Sequence, residues 1–184
     1  MNALKLRSIL THLHLFGAGF MAPAFLLVAL SGGLYLTGNK GEFKVTPVTL
    51  PAAASLDFKS PTLEADIRAL LKRNNMNTKF EYVKSRGNTI QLRPTSKTHY
   101  EFKQTPNGLT ASQKTPNFQA AMMELHKGHG PELFKTYQKF VALFLLFVIF
   151  GGVLVGLLAK NYRNKTIGAL ALGTIVFVFL GFII

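Results

Sequence analysis

The amino-acid sequence predicts a membrane protein with three transmembrane helices and a small periplasmic α+β module, a helix plus an antiparallel meander, inserted after the first helix. Three uncharged apolar runs, Leu13–Leu36, Phe140–Ala159 and Thr166–Ile184, are each long enough to cross a bilayer as a helix. All eight Asp and Glu lie between Glu42 and Glu132. That same stretch contains the alternation of apolar and polar residues that is typical of strands.

Length and composition exclude several classes of protein. The chain has 184 residues and a formal net charge of +13, from 21 Lys and Arg against 8 Asp and Glu. Outside the apolar runs about 100 residues remain for a water-soluble part, which excludes a large soluble enzyme. The absence of Cys excludes disulfide scaffolds, thiolate metal sites and Cys nucleophiles. No P-loop, HExxH or GxSxG pattern supports a nucleotide-binding, zinc-protease or serine-hydrolase function, and whether the chain is an enzyme stays open.

The first apolar run has one competing interpretation, a cleaved signal peptide. Lys5 and Arg7 precede the run, as basic residues do in signal peptides. The apolar part of a signal peptide is about 7–15 residues long, however, whereas this run extends from Leu13 to Leu36. The nearest cluster of small residues, at 52–54, lies too far beyond Leu36 to serve as a cleavage site. We therefore expect a retained membrane anchor.

The distribution of basic residues predicts the orientation of the chain. The N-terminal tail, residues 1–12, and the short loop at 160–165 are basic and contain no acid. Short loops rich in Lys and Arg stay in the cytoplasm, whereas long loops are exported largely regardless of charge. We expect residues 37–136 and the C-terminus to lie in the periplasm of a bacterium, with the inner membrane crossed at 13–36, 137–159 and 166–184.

The exported stretch divides into a linker, the α+β module and a helical region. Residues 37–60 contain two Pro and no apolar period, which indicates an extended linker. In the module, residues 61–114, Ser60 and Pro61 are typical of a helix start. Alternating residues then predict four antiparallel strands at 79–84, 89–94, 98–103 and 109–114. Residues 115–136 are predicted to form an interfacial helix and turn, with Phe118, Ala121, Met122 and Leu125 on one side of the helix.

Three motifs together resemble one known family. The first is HLHLFG at residues 12–17, which runs into an apolar span that closes with LSGGLYL at 30–36. The second is the helix plus meander of residues 61–114, which is similar to a PepSY module. The third is LHKGHG at 125–130, which leads into the second span. The chain therefore resembles the PepSY-associated transmembrane helix family, iron-regulated proteins of the bacterial inner membrane, as a short member with three spans.

The resemblance implies a function and its partners. It favours an accessory or scaffolding component that presents its periplasmic module to a protein partner in iron or siderophore uptake, with a ferric siderophore as a candidate ligand. Longer members of the family include haem-containing reductases, so the alternative is a haem-b-bearing electron-transfer component of a ferric-siderophore reductase. Membrane lipid is an expected partner. Nucleic acid is not, because the soluble segment is predicted to lie outside the cytoplasm.

Four histidines, His12, His14, His126 and His129, are the candidate haem ligands. In a chain without Cys, a b-type haem takes His ligands, typically on both faces of the iron. His12 and His14 point about 200° apart on a helix, so only one of them can face a bundle interior. His126 and His129 lie too close along one segment to reach both faces of one haem. A bis-His site therefore needs a second copy, a partner chain or a different ligand such as Met.

Ordinary roles for these residues stay open. Histidines near the membrane surface or at the C-terminus of a helix are stable without any ligand. A metal site formed by Glu124, His126, His129 and Glu132 is a further alternative. The remaining histidine, His99, is expected to face solvent on a strand.

Three glycines of the second span and the net charge of the exported stretch lead to two further predictions. Gly151, Gly152 and Gly156 allow another helix to approach closely. Packing against the first or third span is favoured over formation of a homodimer, and both stay open. The exported stretch from 37 to 136 holds 15 Lys and Arg and 8 acids, a balance of +7 (15 − 8). That balance fits either a solubilising surface or attraction to lipid headgroups, an anionic metal chelate or an acidic partner.

Overall fold

The computed structural model describes residues 3–51 and 54–184. They form two compact units, one made of residues up to Ala24 together with Lys139–Ile184, the other of Phe25–Gln138. The first unit consists of helices. The second contains an antiparallel sheet, two short helices and the adjoining ends of two long ones.

Three helices are long and apolar enough to cross a membrane. They are α1 (Ala3–Leu36), α4 (Glu132–Leu158) and α5 (Arg163–Val178), the last of which continues into a π-helical turn at Phe179–Ile183. None of the residues Arg163–Val178 is buried, so the apolar side chains of α5 point outward, as a lipid environment requires. The prediction of three membrane-length helices is confirmed.

Two of the three predicted packing glycines lie at close contacts between helices within the first unit. A methyl group at Gly152 of α4 would come within 2.9 Å of His14 Cε1 on α1. A methyl group at Gly156 would overlap the Thr166 side chain on α5. At Gly151, no atom of the described chain other than its own helix neighbours lies within 4 Å of that position. The small residues thus let α4 approach two other helices of the same chain, while a homodimer stays a prediction.

The sheet has five strands in the order β1-β5-β4-β3-β2, and every neighbouring pair is antiparallel. The predicted meander is confirmed in β2 to β5, with turns at 87–88 and 106–107 as the sequence indicates. The strands are β1 (Phe43–Val48), β2 (Tyr82–Arg86), β3 (Thr89–Arg93), β4 (His99–Thr105) and β5 (Gly108–Pro116).

The prediction of a linker at 37–60 is wrong for Phe43–Val48, which is the edge strand β1 and pairs with β5. Pro47 hides this strand in the sequence, because proline is tolerated only where its missing N–H would face away from the sheet. Gly41 fixes the entry to β1. Its φ is +76°, and any side chain there would overlap the backbone of Ala120, so only glycine fits.

The two faces of the sheet differ because successive side chains of a strand point to opposite sides. One face carries Ile90, Leu92, Phe102 and Ala111, all buried, and α2 (Leu63–Arg73) covers it with Ile67 and Leu71. These six residues are the core of the second unit. The opposite face carries polar side chains, and α3 (Phe118–His126) and the loop after it supply further polar side chains there.

The observed helices α2 and α3 differ in detail from their predictions. Helix α2 begins at Leu63 rather than at Pro61, because Ser60 forms a preceding turn in which its Oγ accepts from Thr62 N at 3.1 Å. Helix α3 begins as expected after Asn117, whose side chain accepts from Ala120 N. Phe118, one of the four apolar residues predicted to share a side of this helix, is 80% exposed. The buried residues of α3 are Ala120, Met123 and Glu124.

Candidate functional site

The polar face of the sheet forms a cleft that is rich in positive charge. Lys84 of β2 lies opposite Gln91 of β3, and His99 of β4 lies opposite Lys114 of β5, so these residues share the face that α2 leaves free. The cleft has a volume of about 540 Å³. It is lined by Phe43, Lys84, Arg86, Gln91, Arg93, Thr95, His99, Lys114, Glu124, Lys127 and His129.

A buried network around Glu124 forms the floor of the cleft. Thr95 Oγ1 donates to Glu124 Oε2 at 2.5 Å, and His129 Nδ1 approaches the same oxygen at 2.7 Å. Arg93 Nη1 donates to Thr95 Oγ1 at 2.6 Å and lies 3.5 Å from Glu124. Lys127 Nζ donates to the other carboxylate oxygen at 3.2 Å. A buried carboxylate requires such partners, and together they fix α3 and its following loop to the sheet.

Glu124 is held in its ionised form by these contacts. Burial alone would raise the pKa of this carboxyl, but the hydrogen bonds from Thr95 and His129 and the charge of Lys127 outweigh burial, so that the pKa is lowered. The same balance lowers the pKa of Glu101, which accepts from Lys114 at 2.7 Å and from Gln91 at 2.8 Å. Both carboxylates are therefore negative at neutral pH.

Positive charge still exceeds negative charge in the cleft. Five Lys and Arg line it against one carboxylate, an excess of four (5 − 1), or three when Glu101 beside Lys114 is included. Among residues 3–51 and 54–184, no carboxylate lies within 4.0 Å of Lys84 or Arg86. On the floor, Nε of Arg93 is buried and has no hydrogen-bond partner in the described chain. A recess with this imbalance attracts anions.

The prediction that His99 faces solvent is wrong. His99 is only 6% exposed, and its ring packs edge-on against Phe43 with the ring centroids 5.9 Å apart. Burial, together with the nearby charges of Lys114 and Arg93, lowers its pKa. The reason for the error is the missed strand β1, because β1 carries the Phe43 ring that covers His99.

The two histidines of the LHKGHG motif have different partners. His129 contacts Glu124 in the cleft, whereas His126 Nδ1 lies 2.7 Å from Ser31 Oγ on α1. Ser31 Oγ also lies 2.6 Å from the carbonyl oxygen of Leu27 on α1. A hydroxyl hydrogen directed at Leu27 O makes His126 Nδ1 the donor to Ser31, whereas a hydroxyl hydrogen directed at His126 makes Nδ1 the acceptor, so this contact fixes the position of the ring and not its tautomer.

The structure does not bring together the four residues of the alternative metal site. Glu132 pairs with Lys135 at 2.7 Å, while Glu124 is occupied by the network on the cleft floor. Within the described ranges, no three His, Asp or Glu side chains are grouped as metal ligands would be.

The two histidines of the HLHLFG motif make backbone contacts in α1 and α4. His14 Nδ1 donates to the carbonyl of Val148 at 2.9 Å, because a carbonyl only accepts, and its Nε2 keeps the lone pair. Metal-bound histidines are commonly held in this way. His12 Nδ1 donates to Ser8 O one turn earlier at 2.7 Å and is exposed.

A haem does not fit beside His14 in this unit. His14 lines an apolar cavity with Leu10, Leu13, Phe144, Phe147, Val148 and Gly151, and the volume of the cavity is about 230 Å³. Pockets for ligands of drug size have volumes of about 300–1,000 Å³. The lone pair of His14 Nε2 suits a haem iron, but the cavity beside it is too small for the macrocycle.

The fold and the cleft define a class of protein: a chain with three membrane-length helices that carries a five-stranded sheet with a basic cleft. Compared with protein-family models, curated proteins and solved structures, the chain matches none of them at a significant level. Membership of the PepSY-associated family is therefore still a prediction from the three sequence motifs.

Glu124 and His129 are candidate ligands from the sequence, but the Lys, Arg, Gln and Thr side chains of the cleft are not predicted from it, although a signal for them was present. In β3 the apolar residues Ile90 and Leu92 alternate with Gln91 and Arg93, and in β5 Ala111 is followed by Ser112 and Lys114. Combining this alternation with the antiparallel register would have placed the polar residues on one face. The contribution of Glu124 had no such signal, because it depends on how α3 packs.

Proposed function

We propose that this chain is an integral protein of the bacterial inner membrane, of the PepSY-associated family, that acts as an accessory component. It presents its sheet module in the periplasm to a protein partner in iron or siderophore uptake. The observation that carries this proposal is the excess of positive charge in the cleft. A basic recess favours an acidic partner face or an anionic metal chelate such as a ferric siderophore, and increases the rate of encounter with it.

The proposed orientation rests on the short basic segments of the chain. The link between α4 and α5, from Ala159 to Tyr162, is too short to be exported as a domain; it contains Lys160, and Arg163 and Lys165 follow it at the start of α5. Because such loops usually stay in the cytoplasm, they support the proposal that the sheet module lies on the other side of the membrane. A single Cys introduced at Asn107 should react with a membrane-impermeant thiol reagent in spheroplasts, whereas one at Asn161 should not.

Uptake of iron tests the function. Cells that lack the chromosomal copy are complemented with the wild-type chain or with Lys84→Gln/Arg86→Gln, and uptake of labelled ferric chelate is measured under iron limitation. We expect reduced uptake with the double variant. The matched control is Lys72→Gln/Arg73→Gln at the end of α2, which removes the same charge from the helix that covers the apolar face. Equal uptake by both double variants and the wild type would contradict the proposal.

A second candidate function is a haem-b-bearing electron-transfer component. It is favoured by one observation, the hydrogen bond from His14 Nδ1 to Val148 O, which orients the ring so that neutral His14 keeps the Nε2 lone pair that a haem iron requires. The cavity at His14 is too small for a haem, so this candidate needs a second copy or a partner chain to complete the site. A Soret band in the detergent-purified protein, lost in His14→Ala or His126→Ala, would support it, and colourless folded protein from haem-replete cells would exclude it.

A further inference from the structure

The sheet has two edge strands, β1 and β2, and their outer edges offer different backbone groups. In an antiparallel ladder, alternate residues of an edge strand hydrogen-bond to the neighbouring strand, while the N–H and C=O of the residues between them point away from the sheet. Such an outward row can pair with a further strand. A proline within the row interrupts that pairing, because it has no N–H to donate.

The outward row of β1 contains a proline. Asn117 N donates to Glu42 O at 2.9 Å, just before the paired residues of β1 and β5 begin. Counting along the chain from this bonded pair, the backbone of Thr46 is directed towards β5 and that of Pro47 away from it. The ring of Pro47 therefore takes the place of an outward N–H, so the β1 edge cannot form a regular ladder with a further strand.

The outward row of β2 has all its hydrogen-bonding groups. Gln104 N donates to Asn88 O at 2.9 Å, so Asn88 and, two residues later, Ile90 direct their backbones towards β4. Ser85 lies opposite Ile90, and its N–H and C=O therefore point outward, as do those of Val83. Among the described residues, no backbone–backbone hydrogen bond outside the sheet involves either residue. We call the outward groups of Val83 and Ser85 the β2 edge.

Two cations flank the β2 edge. The side chains of Lys84 and Arg86 project to the cleft face of the sheet, because they alternate with those of Val83 and Ser85. Both cations are exposed and have no carboxylate within 4.0 Å among the described residues. A strand that pairs with the β2 edge would place its own alternate residues directly opposite them, with Cβ atoms about 4.5–5.5 Å apart.

The carboxylates of this region lie away from the two cations. Glu101 is on β4, separated from β2 by β3, and accepts from Lys114 at 2.7 Å. Glu81 lies just before β2, where its carboxylate accepts from Glu132 N at 2.6 Å at the beginning of α4. The end of β2 near the turn at 87–88 is therefore positive, which favours an acidic occupant.

A second copy of the chain does not suit this edge. Antiparallel pairing of two β2 strands centred on Ser85 would place Lys84 of each copy opposite Arg86 of the other. Like charges directly opposite each other are destabilising, and Lys on an edge strand discourages such self-association. An acidic strand turns the same two positions into attractive pairs.

We propose that the β2 edge binds an extended acidic segment of a protein partner as a sixth, antiparallel strand. Acidic side chains at alternate positions of that segment lie opposite Lys84 and Arg86, and the residues between them hydrogen-bond through their backbones to Val83 and Ser85. In this mode of recognition the main chain supplies affinity and the alternate side chains supply specificity. The inference rests on the proposed function, because it names the form in which an acidic partner is bound.

Titration of the detergent-purified full-length chain with labelled peptides, followed by fluorescence anisotropy, tests the proposal. The probe is a capped hexapeptide with glutamate at its second and fourth positions and valine or threonine elsewhere. The comparison peptide has the same composition with the two glutamates adjacent, so that only one can face a cation. We expect saturable binding of the alternating peptide, at least about tenfold tighter than that of the comparison. Equal binding of the two peptides, or no binding of either, would overturn the proposal.

Backbone methylation of the peptide separates strand pairing from simple attraction of charge. In the proposed register the N–H of the third residue points towards β2, and the N–H of the glutamate at the fourth position points away. Methylation of the third nitrogen should weaken binding about tenfold or more, because a hydrogen bond is lost and the methyl group obstructs the edge. Methylation of the fourth nitrogen should weaken it less than about threefold. Equal effects at the two nitrogens would contradict pairing with β2.

Proline substitutions on the two edges provide matched variants of the protein. Ser85→Pro removes an outward N–H, as Pro47 does naturally on β1, and should weaken binding of the alternating peptide about tenfold or more. Val45→Pro makes the same change in the outward row of β1 and should alter the affinity less than about twofold. Hydrogen exchange of the β3 and β4 amides checks that the sheet is intact. Unchanged affinity in Ser85→Pro with an intact sheet would overturn the proposal, and if the sheet is lost, the methylated peptides decide on the wild-type chain.

Charge variants test the two cations. Lys84→Gln/Arg86→Gln should lower the affinity for the alternating peptide about tenfold or more, whereas Lys72→Gln/Arg73→Gln, with the same loss of charge on α2, should change it less than about twofold. Similar losses in both double variants would show that the peptide responds only to net charge and would overturn the proposal.

Failure of this inference is distinguishable from failure of the proposed function. If the peptides do not bind but Lys84→Gln/Arg86→Gln still lowers iron uptake, strand addition is wrong and the role in uptake holds. If the peptides bind in the expected order but Ser85→Pro and Lys84→Gln/Arg86→Gln both leave iron uptake unchanged, strand addition holds and the role in uptake is wrong.

Discussion

The two faces of the sheet differ in composition and burial. On one face Ile90, Leu92 and Phe102 are fully or almost fully buried in an apolar cluster with residues of α2. On the other face the alternate residues of the same strands, among them Gln91 and Arg93, form a polar cleft with a charge network on its floor. Neighbouring residues of one strand therefore belong either to the apolar core or to the polar cleft. Substitutions on the two faces should have different effects on stability.

The largest effect on stability is expected on the apolar face. Phe102→Ala removes a side chain that is 0% exposed and should lower the free energy of unfolding of the sheet by about 3–5 kcal/mol, through lost burial and the cavity that remains. Native-state hydrogen exchange of the sheet amides in detergent measures it without interference from the membrane helices. The control Phe118→Ala, at an 80% exposed position, should cost less than about 0.5 kcal/mol. Similar losses of unfolding free energy in both variants would show that burial against α2 does not make Phe102 more important for stability than the exposed Phe118.

A smaller loss of stability is expected for a substitution on the floor of the polar cleft. Glu124→Gln should cost about 1.5–3 kcal/mol at pH 7, because the hydrogen bond from Thr95 can persist while charge-assisted partners are lost and Arg93 stays buried. The exposed control Glu64→Gln removes only the surface pair with Arg68 and should cost less than about 1 kcal/mol.

The same variant has a defined pH dependence. Because the pKa of Glu124 is lowered on folding, its contribution is fully present above the unfolded value of about 4.5 and is lost as pH falls through the lower folded value. The difference between wild type and Glu124→Gln should therefore be constant between pH 7 and about 5 and shrink below about 4.5. A difference that stays constant in acid would show that the carboxylate charge is not what stabilises the floor.

His99 sharpens the comparison, because it is a titratable side chain buried on the polar face. Burial lowers its pKa, so its neutral form is favoured in the folded state, and stability is lost as pH falls from the unfolded value of 6.5 towards the lower folded value. His99→Asn should reduce the slope of stability against pH in that window, measured by hydrogen exchange at a series of pH values. An unchanged slope would mean that the Phe43 ring does not shield His99 from water.

The sequence predicted the three apolar helices and the four-strand meander because their signals are local. Long uncharged runs and short alternations each lie within a few turns or strands of the chain. It failed at β1, since Phe43–Val48 is a strand only because β5 offers it an edge, and Pro47 argues against it locally. The error at His99 follows from this one, and the burial of Glu124 follows from the packing of α3, which depends on contacts between distant segments.

The smallest effect on stability is expected at the β2 side of the cleft, where binding should change most. Lys84 and Arg86 are exposed and have no carboxylate within 4.0 Å among the described residues. Lys84→Gln/Arg86→Gln should therefore change the free energy of unfolding by less than about 0.5 kcal/mol. A small gain is expected at low salt, because repulsion between like charges is relieved and salt screens that repulsion. A loss above about 1 kcal/mol would show that these cations hold the sheet together, and an effect of the variant on iron uptake would then follow from damage to the fold.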